Sequence, residues 1–153
     1  MQTITPFLWF DDNLEEAVRF YTSVFKDSKA GEIRRGADGK AFGANWELNG
    51  QKFMGLNGGP AHAGFTETIS FFVKVETQEE VDELWEKLTA DGGEESQCGW
   101  LKDKFGLSWQ IVPTALEKLL GDPDPERSQR AMQAMLKMRK LDIAALERAA
   151  NGK

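Results

Sequence analysis

Few side chains in this sequence are equipped for chemistry. There is one histidine, His62, and one cysteine, Cys98. A single His gives no convincing Ser-His-Asp arrangement of nucleophile, base and orienting acid. His62 stands in a Gly/Pro-rich stretch, where a solvated loop residue is expected rather than a ligand. Cys98 precedes Gly99-Trp100 and lies near Lys102 and Lys104, cations that would favour a thiolate. With no second Cys for redox cycling, the expectation is a half-buried structural thiol. Glu47 and Glu67 fall within strands or at their starts, where a buried carboxylate could act as a base. Alternation puts Glu47 with Asn45 on one face and Trp46 with Leu48 on the other, so exposure is expected. No phosphate-cradling motif is present.

The stretch most suggestive of a site is Asp103 to Pro113, DKFGLSWQIVP. Lys104-Phe105-Gly106 reads as a tight turn in which Gly106 takes a positive φ. Ser108 to Val112 then alternates as a strand. Trp109 and Ile111 share one face; Ser108, Gln110 and Val112 share the other. Two readings of the mid-strand Gln110 stand side by side. It hydrogen-bonds backbone near a sheet edge, or it points into a ligand cavity.

Bulk properties bound the function. At 153 residues the chain is one domain or two small fused halves. Net charge is −6, which argues against nucleic acid or an anionic membrane as partner. No run approaches the ~18 apolar residues of a membrane span. The start of the chain lacks a basic segment followed by an apolar run, so no signal peptide is expected. One Cys fits a reducing compartment, and a cytoplasmic location is the expectation. Five Trp and ten Phe fill a core or line an apolar pocket.

These residues need elements to hold them. Thr3 to Phe10 reads as a strand, with Pro6 pushing it to an edge or bulge. Asn13, with Glu16 three residues on, reads as a capping box for a helix to Phe25. Ile33–Arg35, Ala41–Leu48 and Gln51–Asn57 follow as strands, with Asn49-Gly50 a type I′ turn signal. Leu56 to Gly64 reads as a hinge. The pattern then repeats. Thr68 to Val75 is a strand, Thr77 and Glu80 a capping box, and Asp91-Gly92-Gly93 a helix stop. Strands within Glu94–Trp100 and Leu107–Val112 complete it.

A shift of 64 residues lays Asn13-Leu14-Glu15-Glu16-Ala17 on Thr77-Gln78-Glu79-Glu80-Val81, and Phe7-Leu8 on Phe71-Phe72. A shift of 56 lays Gly50 on Gly106, Phe53 on Trp109 and Met54 on Gln110. The predicted fold class is therefore α+β: two βαβββ units forming a cupped mixed sheet, with a small-ligand cavity between them. The boundaries are 1–60 for the first unit, 61–113 for the second and 114–153 for a C-terminal helical extension, all in one compact domain. In the extension, Thr114 with Glu117 reads as a third capping box. Asp124 caps a helix that Pro125 starts, and Asp142 caps the last helix. Ala131, Met135 and Met138, flanked by Met132 and Leu136, form a stripe that packs on the sheet or on a second subunit.

Several segments resemble one family. They are Ile4-Thr5-Pro6-Phe7-Leu8-Trp9-Phe10, Phe20-Tyr21, Leu48-Asn49-Gly50-Gln51, Leu56-Asn57-Gly58-Gly59-Pro60, Ser70-Phe71 and Cys98 through Ile111. Together they resemble the PhnB-like branch of the vicinal oxygen chelate superfamily, a branch often labelled 3-demethylubiquinone-9 3-methyltransferase domain. The helix at Ala134–Met138 is similar to that branch's extension. The resemblance implies a homodimer. It also implies that metal-binding relatives place two ligands in each unit, one on the first strand and one on the last. The repeat puts those positions at Pro6, Met54, Ser70 and Gln110, of which only Gln110 offers an oxygen suited to a divalent ion. No metal and no cofactor is therefore expected. The methyltransferase label finds no support either. The Gly-rich run Gly55–Gly64 contains Pro60 and no helical pattern follows it, unlike a nucleotide-binding turn.

Three functions follow. One is a metal-free protein that binds a small apolar or aromatic ligand, with Trp9, Ser70, Trp100 and Gln110 as pocket residues. Another is a glyoxalase- or dioxygenase-type enzyme whose rearranged metal site draws on Glu47, Glu67 or His62. The third is a structural dimer whose cavity is filled by its own side chains.

Overall fold

The computed structural model describes residues 2–153. They form two compact units, one running to Gly64 and the other from Phe65 to Lys153. Both are built to the same plan, and the expected pair of βαβββ units is what the structure has.

In the first unit, β1 (Phe7–Phe10) leads to α1 (Leu14–Val24), then β2 (Lys29–Arg35), β3 (Ala41–Leu48) and β4 (Gln51–Asn57). The sheet order is β1-β4-β3-β2. β1 runs parallel to β4 and the other neighbours are antiparallel. The apolar stripe of α1 buries Leu14, Ala17, Val18 and Tyr21, and one sheet face buries Leu8, Phe10, Ala44, Trp46, Leu48 and Phe53. Gly55 has no side chain because a Cβ there would lie 2.9 Å from the Leu8 carbonyl and 3.0 Å from Leu14. The Asn49-Gly50 turn takes φ of 47° and 87°, as a type I′ hairpin requires.

The second unit repeats the plan with β5 (Phe71–Val75), α2 (Gln78–Thr89), β6 (Glu94–Glu95), β7 (Trp100–Lys102) and β8 (Ser108–Pro113). Its order is β5-β8-β7-β6, again with the first and last strands parallel. Thr77 caps α2 as expected, its hydroxyl accepting from Glu80 N. Asp91 (φ 56°) and Gly92 (φ 111°) turn the chain left-handed and stop the helix.

The chain continues within this unit as α3 (Thr114–Leu120), α4 (Pro125–Leu136) and α5 (Ile143–Ala150). Val112 of β8 joins Leu116, Leu141 and Leu146 in a buried cluster, with Met135 and Met138 packed against it. Met132 and Leu136 remain exposed, so only part of the expected stripe packs on the unit. Two strut systems hold the extension. Cys98 N and Gly99 N donate to Met138 O and Arg139 O, both at 2.8 Å. The Gln78 amide spans the joint, donating to Leu141 O at 3.0 Å and accepting from Ile143 N at 2.8 Å. Asp124 and Asp142 cap α4 and α5 as expected.

Three local expectations need correction. The first strands begin at Phe7 and Phe71, later than Thr3 and Thr68. Pro6 lacks an N–H, and only its carbonyl joins the sheet, accepting from Met54 N. Asn13 makes no side-chain cap. Asn57 caps α1 instead, its Oδ1 accepting from Leu14 N at 2.9 Å. Thr114 is not an N-cap, since Pro113 occupies that place; its hydroxyl donates to Glu76 across 3.2 Å.

Candidate ligand-binding face

The turn before β8 is held by one carboxylate. Asp103 is 2% exposed, and its side chain accepts from Phe105 N at 2.9 Å, Leu107 N at 3.1 Å and Trp109 Nε1 at 2.9 Å. Its carbonyl accepts from Gly106 N, and Gly106 sits at φ 89°. The pattern Asp-x-x-Gly-x-x-Trp is thus a staple. It fixes the end of β8 and pins Trp109 on the helix side of the sheet. The sequence marks the turn, but the three-donor role of Asp103 depends on contacts that only the folded turn creates.

With Trp109 and Ile111 turned inward, alternation aims Ser108, Gln110 and Val112 at the opposite face. β8 is an interior strand, between β5 and β7. Gln110 is therefore not an edge residue. Gln110 Nε2 donates to Ser70 Oγ at 3.0 Å. Trp100 stands directly across from Gln110 on β7, and Phe72, 50% exposed, directly across on β5. A hydroxyl–amide pair thus lies between two aromatic rings on one sheet face. Beside it, a cleft of about 340 Å³ is lined by Ser96, Cys98, Trp100, Lys102, Ser108 and Glu67, among others.

Ser70, Trp100 and Gln110 are therefore brought together. Trp9 belongs to the first unit, where Gly59 O accepts from its Nε1 at 2.9 Å and His62 meets its ring edge-on at 5.1 Å. A Cβ on Gly58 would lie 2.3 Å from the Trp9 ring, so the Gly/Pro stretch folds over this indole. His62 has a structural partner there.

The first unit carries its own hollow, about 330 Å³, lined by Thr5, Asn45, Glu47, Lys52 and Met54 among others. Registers in the two sheets show where the repeat is offset. Met54 pairs with Asn45 on β3 and Phe7 on β1; Gln110 pairs with Trp100 on β7 and Phe72 on β5. Phe7 thus corresponds to Phe72, a shift of 65 in the first strands, whereas the N-caps Asn13 and Thr77 keep a shift of 64. The second strand–helix connection is one residue shorter. Exposure agrees: Phe7 is 52% exposed and Phe72 50%, while Phe71 packs on Trp109 at 5.5 Å. The first-strand counterpart of Ser70 is therefore Thr5, not Pro6.

The donor set does not suit a metal. Thr5 and Met54 offer a neutral hydroxyl and a thioether. Ser70 and Gln110 offer a second hydroxyl and an amide already bonded to each other. None carries the charge or imidazole that holds a divalent ion. Glu47 pairs with Lys29 at 3.4 Å, and Glu67 with Lys102 at 2.6 Å. Among the described residues no three His, Cys, Asp or Glu side chains cluster as a metal site would need. Nor does the Gly55–Gly64 run open a helix, as a nucleotide-binding turn would; it leads from β4 into turns and irregular chain.

Comparison with known proteins agrees with this architecture. The model of the family described as 3-demethylubiquinone-9 3-methyltransferase matches residues 2–112. The chain belongs to that family. It is a PhnB-like member of the vicinal oxygen chelate superfamily. The match ends at Val112, so α3 to α5, including Ala134–Met138, lie beyond it. A solved structure described as a putative 3-demethylubiquinone-9 3-methyltransferase, PhnB protein, from Bacillus cereus is 36% identical. The alignment covers 73% of this chain and 99% of that one, with a TM-score of 0.68. A protein from Pseudomonas aeruginosa is 20% identical, covering 74% and 98%, with a TM-score of 0.59. The fosfomycin resistance protein FosX from Listeria monocytogenes, solved with Mn(II) and sulfate, shares the fold at 18% identity; coverage is 72% and 89% and the TM-score 0.53. No functionally curated protein matches the chain. Among the described residues, no helix is long and apolar enough to cross a membrane.

Proposed function

We propose that this PhnB-like chain binds a small apolar or aromatic molecule without a metal, using the face that carries Ser70, Phe72, Trp100 and Gln110. The observation that carries the reading is the Gln110–Ser70 pair at 3.0 Å between the two aromatic residues. An interior strand gains little stability from an amide on an open face, whereas an apolar lining with a few placed polar groups is the usual make-up of a ligand site. Trp100 and Phe72 supply stacking surface, and Gln110 supplies one donor and one acceptor to orient a polar edge. Trp9 is an aromatic candidate of the first unit by itself. A homodimer and a reducing, cytoplasmic setting belong to the reading as well. The exposed Met132 and Leu136 on α4 support the former, and the single cysteine fits the latter.

Thermal unfolding against a panel of aromatic compounds tests it. A ligand at 100 times its Kd adds about 2.7 kcal/mol to the folded state, a rise of several degrees in Tm. Gln110→Leu, which keeps the strand apolar and folded, should lose most of that rise. Neither Mn, Ni, Zn nor Fe should change it. A panel without a single Gln110-dependent shift, or stoichiometric uptake of a transition metal by protein purified without a His tag, overturns the proposal.

A further inference from the structure

The cleft beside this face has a chemistry of its own. Lys102 and Ser108 stand directly opposite each other on β7 and β8 and share the face of Trp100 and Gln110. Ser108 is 1% exposed, and its buried hydroxyl has no hydrogen-bond partner among the described residues. A buried hydroxyl without a partner is a cost the fold carries for no structural return. The Lys102 ammonium is not idle: Glu67, from the chain before β5, places a carboxylate on it at 2.6 Å. That glutamate side chain is 66% exposed and comes from an irregular segment, so it can swing into water at little cost. The protein's own carboxylates thus sit at this cation, Glu67 on it and Glu94 opposite it on β6.

We propose that this cleft receives the carboxylate end of a planar aromatic monocarboxylate. The ring lies on Trp100, and the carboxylate replaces Glu67 on Lys102 and accepts from the Ser108 hydroxyl. The proposal rests on the aromatic-ligand reading above and adds its charged end. Residues opposite each other on neighbouring strands have Cβ atoms about 5 Å apart. One carboxylate can therefore bridge the ammonium and the hydroxyl. A single lysine with one hydroxyl suits a monoanion. A phosphate dianion would call for an Arg fork or a helix N-terminus. Neither is among the residues lining the cleft.

Cys98 lies in the lining and is the only cysteine, so it reports occupancy without a label. The experiment follows carbamidomethylation of Cys98 by iodoacetamide, read by intact mass, with benzoate as probe and neutral benzamide as control. Benzoate should slow alkylation by 1 + [benzoate]/Kd, about tenfold at ten times its Kd. Benzamide should protect far less. Lys102→Met should abolish protection and Ser108→Ala should weaken it about tenfold, the scale of one hydrogen bond to a charged group. Glu67→Gln should tighten benzoate, because it removes the competing carboxylate; a purely structural ion pair predicts no gain. Equal protection by benzamide, protection that survives Lys102→Met, or weaker binding in Glu67→Gln overturns the proposal. If neutral aromatics give Gln110-dependent thermal shifts while benzoate fails to protect Cys98, the carboxylate assignment falls and the aromatic face stands. If no aromatic compound shifts the melt, both fall.

Discussion

Removing the Asp103 carboxylate should loosen the end of β8 and, with it, the face that β8 presents. Asp103→Ala strips the acceptor from Phe105 N, Leu107 N and Trp109 Nε1. Trp109 is 3% exposed, so its indole N–H has no water to turn to. Each buried donor left unpaired costs about 1–3 kcal/mol. Water reaches the partly exposed Phe105 amide, and the charge no longer has to be held away from solvent. These offsets leave the Leu107 and Trp109 donors unpaired, a loss of about 2–6 kcal/mol at about 1–3 kcal/mol each. Asp103→Asn should cost about 1–3 kcal/mol, because one amide oxygen still serves the backbone while the NH2 faces another donor. Trp109→Phe removes that second donor. In a double-mutant cycle it should recover about 1 kcal/mol of the Asn penalty. The assay is urea unfolding of the full chain, followed by Trp fluorescence and circular dichroism. A loss under about 1 kcal/mol for Asp103→Ala, or strict additivity with Trp109→Phe, would show that the carboxylate is not the staple. A stability gain on removing it would suggest a strained functional acid instead.

Two further outcomes concern the extension. Gly99 sits at φ 87°, and a Cβ there would lie 3.0 Å from Leu141 and 3.1 Å from the Ile111 carbonyl, a backbone atom of β8. Gly99→Ala should therefore cost about 2–4 kcal/mol in urea unfolding, from left-handed strain plus crowding. Asp82 is held below the usual carboxylate range, first by its hydrogen bond from Lys140 and then by that from Gln78. A carboxyl with a depressed folded pKa contributes stability above its unfolded pKa, about 3.9, and that contribution is lost as pH falls through the folded pKa. Hydrogen exchange of α5 should therefore be slower in the wild type than in Asp82→Asn near neutrality, and the gap should close with acidification below about pH 4. A gap that persists in acid would place the effect outside this carboxylate.

Much of the scaffold was legible because its signals are local. Thr77, Asp124 and Asp142 cap through bonds to residues two or three positions on, and Asn49-Gly50 closes its hairpin within itself. What escaped was long-range. Asn57 caps α1 from 43 residues away, and no capping rule looks that far. Pro6 would match Ser70 only if the strand and helix of each unit kept one common shift, and they do not. A connection shorter by one residue moves the strand to the opposite face of the pleat. Ser70, Trp100 and Gln110 were readable as a cluster because their strands are neighbours in the repeat. The Glu67–Lys102 contact was not, since Glu67 lies outside any regular element.

The segments that carry the family likeness hold inward and outward residues side by side. Asp103, Gly106 and Trp109 face inward and build the turn, and Leu8, Phe10 and Tyr21 fill a core. Such residues are constrained by packing whatever the protein binds, which is why a likeness built on them establishes the fold and leaves the chemistry open. The chemistry has to come from outward positions on the same strands: Thr5, Met54, Ser70 and Gln110, with Trp100, Lys102 and Ser108 beside the last. At those positions this chain carries hydroxyls, an amide, a thioether and one lysine. That set can hydrogen-bond a ligand and meet one negative charge, and it lacks the charged or imidazole donors that would hold a divalent metal. Each sheet thus has two faces under two different constraints, and the activity must be argued from the outward one.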